Sequence, residues 1–540
     1  MKNPSSDITI NKQYGTSSVR LNRPPLYLLI AAGLVATAMS LPLIYLIFQA
    51  IDSGSAMLEY VQRGRTLQIV FRSFLLVTLV SFGSVLIALP VAWITVRTDL
   101  PFRQVWAVLT MLPLVIPSYV GAFVVALVLG PKGMLQTILE PFGVERIPEI
   151  YGLPGAALTL TILSYPYVLL PVRATLLRLD PAFEESARVL GSGPRETFFR
   201  STVPIVRPAI ASGALLTGLY ALSDFGAVSL MRYETFTWAI FLQYESFNRE
   251  MAATLSIILI GCALVILNLE SRSRGRGRYA RTGSGGTRTP KLAELGAWRW
   301  PCLIACLCLV LVSLVMPLGV LSYWVVRGLQ MGENLGSVSS TLMNSVYSSA
   351  IAAFFAVSMS LPVASLLIRH PGSLSRLLER LTYAGYTLPG IVVALSLVFF
   401  GLNVVPWLYQ SFGLLTFSYL VLFLPVALSP IRSNLSQLNP RLEEAARTLG
   451  RRPIQVLWSI VMPSARPGLI AGFVLVFLVT IKELPATLIL SPIGFKTLAT
   501  TIWAAASEAF FARAAFPALL LIVVSSFVLG VGTYLDRSRH

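Results

Sequence analysis

Asp224, in Leu222-Ser223-Asp224-Phe225-Gly226, and the pair at the head of Lys482-Glu483-Leu484-Pro485 stand in stretches otherwise apolar enough to cross a membrane. An ionisable group at such a depth is costly and marks a pathway or a partner. Carboxylate and phenolate oxygens suit hard, highly charged cations, and Tyr220, Tyr233 and Tyr244 lie close to Asp224 in sequence. The chemistry on offer is passage of a hard cation, with Asp224, Tyr220, Tyr233, Lys482 and Glu483 lining its route. The same acids have a plainer use, which is to cap helix breaks or to pair with Arg232 and Lys482. Arg72, near the outer start of a span, reads as a snorkelling end residue.

No set of residues fits a catalytic centre. The phosphate-binding pattern G-x-x-x-x-G-K-[ST] is absent, and the nearest glycine clusters, Gly191-Ser192-Gly193 and Gly283-Ser284-Gly285-Gly286, lack the lysine. Energy for transport must come from a partner or an ion gradient. Cys262, Cys302, Cys306 and Cys308 lie in apolar runs and read as small hydrophobes. With His370 and His540 the sole histidines, no metal site is assigned.

The two acids occupy matching places behind two long matched segments. One runs from Asp180-Pro181 through Glu184, Glu185, Ala187, Gly191, Pro194 and Pro204 to Arg207-Pro208. The other runs from Asn439-Pro440 through Glu443, Glu444, Ala445, Ala446, Gly450, Pro453 and Pro463 to Arg466-Pro467. They align without a gap. Asp180 and Asn439 suit N-caps, and the following proline suits the first helical position. The acid pairs fall in the first turn, where the helix dipole favours negative charge. Phe183, Ala187 and Leu190 share a face, as do Leu442, Ala446 and Leu449, and Gly191 and Gly450 stop the helix. Each segment reads as a rigid charged knob with a small apolar face, built for docking. Asp224 and Glu483 follow roughly 24 Å along the next helix at 1.5 Å per residue, toward its outer end.

The chain has 540 residues, 55% of them hydrophobic and 12% charged, with mean hydropathy +0.74. Soluble domains carry about 25% charged residues, so this is an all-α integral membrane protein. Apolar runs near 26–50, 68–95, 104–129, 155–175, 208–229 and 251–269 form a first six-helix half, spanning 26–269, behind a polar tail, 1–25. Lys2, Lys12, Arg20 and Arg23 precede a first run too long for a cleavable signal. A basic Gly/Arg/Ser segment, 270–298, reads as a flexible linker able to touch anionic lipid heads. Runs near 300–326, 340–368, 380–404, 412–431, 467–490 and 514–535 form the second half, spanning 299–540. This is a direct repeat of about twelve transmembrane helices, its halves related by an axis along the membrane normal. The net charge of +18 does not point to nucleic acid, because the basic residues sit at helix ends. Most lie on the side holding both matched segments, the linker and both termini, which is therefore cytoplasmic. The first half alone carries an outer insert at 141–151, a loop or short interfacial helix.

The matched segments resemble the EAA coupling loops of ABC importer permeases: Glu-Ala-Ala, three residues, Gly, nine residues, then Ile-x-Leu-Pro. The second copy follows that pattern through Glu444, Ala445, Ala446, Gly450, Ile460 and Pro463, with Met462 for the leucine. The first departs from it at Ser186, Ser201 and Val203. The Ser-Asp-Phe-Gly-Ala run at 223–227, the Lys-Glu-Leu-Pro-Ala run at 482–486 and the fused length look like ferric-iron importer permeases. Thiamine importer permeases are similar in layout. The resemblance implies a type I ABC permease fold and loops 180–208 and 439–467 docked on two copies of an ATP-binding subunit. It also implies a periplasmic binding protein delivering substrate, in a bacterial inner membrane. ATP and Mg would be used by the partner, with no cofactor bound by this chain.

A secondary transporter with two six-helix halves is the rival class, but nothing docks on such a carrier after its fourth helices. A membrane scaffold is disfavoured by the acids within the spans.

Overall fold

A chain segment in lipid must satisfy its own backbone hydrogen bonds, and the helix does so locally. The computed structural model describes residues 24–52, 59, 64–179, 189, 191, 193–274, 292–333 and 338–537. Among them, eleven helices are long and apolar enough to cross a membrane, twelve if one bent pair counts as a single span.

The first half comprises α1 (Leu26–Asp52), α2 (Gly64–Arg97), α3 (Arg103–Leu109), α4 (Ser118–Leu129), α5 (Leu153–Ser164), α6 (Pro166–Arg178), α7 (Val203–Ser223), α8 (Gly226–Leu230), α9 (Phe236–Glu245) and α10 (Arg249–Arg274). The second comprises α11 (Arg299–Val310), α12 (Met316–Gln330), α13 (Val338–Arg369), α14 (Ser373–Ala384), α15 (Gly390–Asn403), α16 (Phe412–Gln437), α17 (Pro440–Thr448), α18 (Met462–Thr480), α19 (Pro485–Leu490), α20 (Leu498–Ser507) and α21 (Phe511–Arg537).

The third and fifth spans of each half, expected to be continuous, are broken. Between α3 and α4 a 3₁₀ turn, Leu112–Val115, runs into extended Ile116-Pro117. Between α14 and α15 the turn Gly385–Thr387 runs into extended Leu388-Pro389, and the chain bends by 102°. A residue before proline is pushed out of the α region, so Ile116 and Leu388 stop the helix. The fifth spans end at Ser223 and Thr480, and short helices α8 and α19 resume beyond.

Three π turns share a cause. Phe198–Thr202, Leu457–Val461 and Leu311–Val315 each end two residues before a proline, Pro204, Pro463 and Pro317. Proline has no N–H for the carbonyl four residues back and its ring crowds that carbonyl. That carbonyl falls mid-turn each time, and widening the turn relieves the crowding.

Packing repeats across the halves: α2, α6 and α7 form one mutually packed group, and α13, α16 and α18 form the other. The first helix of each half crosses over. α1 packs mainly on α13, α14 and α15, while α12 packs on α21 and reaches α4. Ser40 hydrogen-bonds the Leu381 carbonyl (3.4 Å) and Asn403 the Tyr45 hydroxyl (2.8 Å).

The linker is not loose throughout. Residues 270–274 complete α10, 275–291 lie outside the described residues, and the end of the linker is docked on the first half. The Ala293 N–H donates to the Arg97 carbonyl (2.8 Å), and the Asp99 N–H donates to the Ala293 carbonyl (3.2 Å). The Asp99 carboxylate accepts from the Leu295 N–H (2.9 Å) and from Arg299 (2.7 Å), which together hold it below the usual carboxylate range. The outer insert starts as a 3₁₀ turn, Glu140–Phe142. Its Glu145 carbonyl accepts from Gln136 (2.7 Å).

Candidate functional site

In the second matched segment, Pro440 opens α17 and Gly450 closes it. Gly450 has φ +81°, and a side chain there would meet nothing within 4 Å, so the dihedral rather than crowding demands glycine. The Arg451 N–H returns to the Ala446 carbonyl (3.1 Å), the six-to-one bond of a Schellman end. Gly191 repeats this conformation at φ +89°. Pro204 and Pro463 set the π turns that lead into α7 and α18.

The expected apolar face is split. Ala446 is buried, whereas Leu442, Ala445 and Leu449 are exposed on the knob. The sequence reading missed Phe199 and Trp458, exposed at matching positions. Large aromatics aligned at the same offset in both loops are the available signal. Glu443 does not face outward either: its carboxylate pairs with Arg369 at 2.5 Å, with the side chains only 15% and 20% exposed. Glu444 lies within α17, with its side chain outside the described set, and Glu184, Glu185 and Ala187 lie outside the described residues altogether.

Asp224 and Glu483 sit where the fifth spans break. Asp224 caps α8 through the Ala227 N–H (2.8 Å), and Glu483 caps α19 through the Ala486 N–H (3.2 Å). Each main-chain carbonyl accepts a threonine hydroxyl, from Thr237 (2.5 Å) and from Thr487 (2.7 Å). The Ser118 hydroxyl lies beside the Asp224 carboxylate. In the other half, Gly390 faces Glu483, and a Cβ there would fall 2.6 Å from the carboxylate oxygen. Lys482 crosses between halves and donates to the Leu114 carbonyl at 3.2 Å. That carbonyl ends a 3₁₀ turn and needs a donor in a water-poor layer.

Both acids therefore lie at the level of the third-span breaks, with α4 continuing about 18 Å beyond at 1.5 Å per residue. This is deeper than the outer mouth expected from sequence. Tyr220 belongs to the layer, beside Asp224 and Ser118, its ring 5.2 Å from that of Tyr167. Tyr119, unnoticed in the sequence, joins the halves: its ring packs against Gly226, and its buried hydroxyl lies near Glu483 with no hydrogen-bond partner.

Tyr233, proposed for the route, and the other residues singled out near it in the sequence lie elsewhere. Tyr233 donates to the Arg72 carbonyl (3.1 Å) in the outer core of the first half. Tyr244 packs near Tyr409. Arg72 does not simply snorkel, because it shares Glu234 with Arg65 (3.1 and 2.8 Å). Arg232 lies over the Tyr151 ring rather than against Asp224. A cavity of about 870 Å³ opens at the end remote from the loops. Lys132, Arg232 and Arg327 line it beside Trp238, Trp324 and Trp503, with no carboxylate among its lining residues. It is unsuited to holding a cation.

A family model described as binding-protein-dependent transport system inner membrane component matches residues 84–271 and again residues 356–540. The chain belongs to this family. Both matched stretches contain one of the two matched segments and one mid-span acid, so the match repeats with the fold. The Fe(3+)-transport system permease protein FbpB 2 of Haemophilus influenzae is 34% identical over 510 residues, covering 93% of this chain and 97% of that one. The ferric transport system permease protein FbpB of Actinobacillus pleuropneumoniae is 22% identical over 492 residues, 86% of this chain and 71% of that one. The sulfate transport system permease protein CysW of a Synechocystis species is 28% identical over 253 residues, 45% of this chain but 91% of that one.

Proposed function

We propose that this chain is the membrane permease of an ATP-driven importer of ferric iron, with both halves of one translocation pathway on one polypeptide. The observation that carries the transport reading is the knob of the second segment, glycine-stopped and presenting Leu442, Ala445 and Leu449, with Gly191 of the matching first segment in the same left-handed conformation. Such knobs suit docking of two copies of an ATP-binding subunit on the cytoplasmic side, where ATP and Mg are used. A periplasmic binding protein delivers the cargo at the opposite end. ATP-driven closure of the subunits draws the two loops together and rocks the halves about the Tyr119 layer, and hydrolysis resets them. The termini are placed on the cytoplasmic side in this reading, which the distribution of Lys and Arg supports.

Ferric iron is favoured over other solutes by coverage. Relatives named for iron match across both halves, whereas the sulfate relative matches about half of the chain. The mid-membrane layer has suitable chemistry, with two carboxylates and two phenols for a hard cation. Glu184, Glu185 and Glu444 steer docking while Glu443 is held by Arg369, and none takes part in bond chemistry.

Reconstitution tests the whole reading. The chain, its ATP-binding subunit and its binding protein in liposomes should import ferric iron only with ATP and binding protein present. Import of thiamine or sulfate in place of iron overturns the substrate, and iron import without an ATPase overturns the class.

A further inference from the structure

A docking knob transmits force only if something stiff joins it to the spans. At its C-terminal side α17 leads through Pro453–Val456 into the π turn Leu457–Val461. That turn, widened ahead of Pro463, interrupts the regular hydrogen-bond ladder between the knob and α18. At its N-terminal side the connection is different. Arg369 ends α13, and its guanidinium holds Glu443 in the first turn of α17 at 2.5 Å, in a half-buried setting. Arg369 is thus bonded to a carboxylate that also faces the positive end of the α17 dipole.

The first half repeats the arrangement at its own corner. Leu89-Pro90-Val91-Ala92 in α2 matches Leu361-Pro362-Val363-Ala364 in α13, which puts Arg97 in register with Arg369. Arg97 is buried, 3% exposed, and donates to the Leu179 carbonyl at 3.2 Å, where the first coupling loop departs from α6. In both halves an arginine closing the second span grips the entry to the coupling loop. Charged residues so buried are costly unless the contact is used.

From this geometry we infer that Arg369 and Arg97 are positioning residues for coupling: each is a strut that passes the motion of a docked loop into the second span of its half. The force route runs through the arginine into α13 or α2, and from there into the packed groups α13–α16–α18 and α2–α6–α7. The π turns let the fifth spans follow without carrying the load. The strut assignment rests on the importer reading above.

The test uses the complete complex in liposomes and measures iron imported per ATP hydrolysed. Arg369→Gln should lower that ratio by at least about fivefold, the low end of a typical coupling between sites, while ATP-binding subunits still co-purify in wild-type proportion. Glu443→Gln should behave alike. The exchanged pair Arg369→Glu with Glu443→Arg restores the contact but sets a cation at the positive end of the α17 dipole, so it should recover part of the ratio above either single change, which a merely structural loss of packing would not do. Arg369→Lys, which keeps charge but not the planar fork, should fall between and serves if the glutamine variant fails to assemble. An unchanged ratio in Arg369→Gln, or an exchanged pair no better than either single change, overturns the strut. If the unaltered complex imports no iron, the importer reading fails instead.

Discussion

In the first half, the break after α7 is capped by an aspartate facing Ser118. In the second, the break after α18 is capped by a glutamate facing Gly390. The longer acid meets the residue without a side chain, and the shorter acid meets a hydroxyl. Behind the acids, Ser223 matches Lys482, and only the lysine is long enough to reach the opposing half at Leu114. The repeat thus preserves cap geometry and filled volume while letting residue identity drift. Its one-sided lysine makes the mid-membrane layer asymmetric, as a fused chain permits and an identical pair of subunits would not.

The comparison is broken most severely by removing both charges at once. Asp224→Asn with Glu483→Gln leaves acceptors for the Ala227 and Ala486 N–H groups, so melting should change little. Iron uptake in liposomes should fall on the order of tenfold or more, equivalent to about 1.4 kcal/mol of barrier per factor of ten. Wild-type uptake by this double variant would make both acids structural caps alone.

Volume exchange comes next. Gly390→Ser alone sets a Cβ against Glu483 and against Pro485, 3.2 Å away, and should destabilise by about 1–3 kcal/mol, as overpacking does. Adding Glu483→Asp copies the pairing of the first half and should restore most of the melting temperature. Absence of any recovery would show that the two breaks are not interchangeable.

Lys482→Met keeps the stem and removes the donor to Leu114. Leaving that carbonyl unsatisfied should cost about 1–3 kcal/mol, read as a lower melting temperature, whereas Ser223→Ala at the matching place, which adds no volume and breaks no contact across the halves, should be close to neutral. Equal effects would dissolve the asymmetry. The smallest effect is expected at the loops: Gly191→Ala and Gly450→Ala should each cost about 1–2 kcal/mol locally through the positive φ. Hydrogen exchange in the two loops should rise alike, since neither site is crowded.

Much of this was legible in the sequence. The matched loops, the spans and the acids were visible because polar spacing and hydropathy register at short range. The bend at Leu388-Pro389 was not, since both flanks are apolar and a hydropathy profile records no direction. Nearness along the chain points Tyr233 toward the route, but the turn after α8 carries it to Arg72 in the outer core. Glu443 reads as an outward docking charge until Arg369, 74 positions earlier, is placed beside it. Tyr119 looked like one aromatic in an apolar run, because the contact giving it meaning comes from the other half. The π turns were readable in principle, from prolines at matching offsets.

The crossed first helices bear on how the molecule is made. α1 leaves the ribosome more than three hundred residues before α14 and α15, on which it packs. At about 5–20 residues per second of synthesis, that interval is on the order of tens of seconds. Its main partner in its own half is α10, which is itself made about two hundred residues after α1. It must wait in the bilayer, and the apolar surface it keeps toward lipid in the finished fold, with Leu34, Ile44 and Phe48 exposed, suits it to that wait. Biogenesis is then completed by closure of the first helix onto the last-made half, and a chain stalled after α10 would present that unfilled face to whatever surveys the membrane.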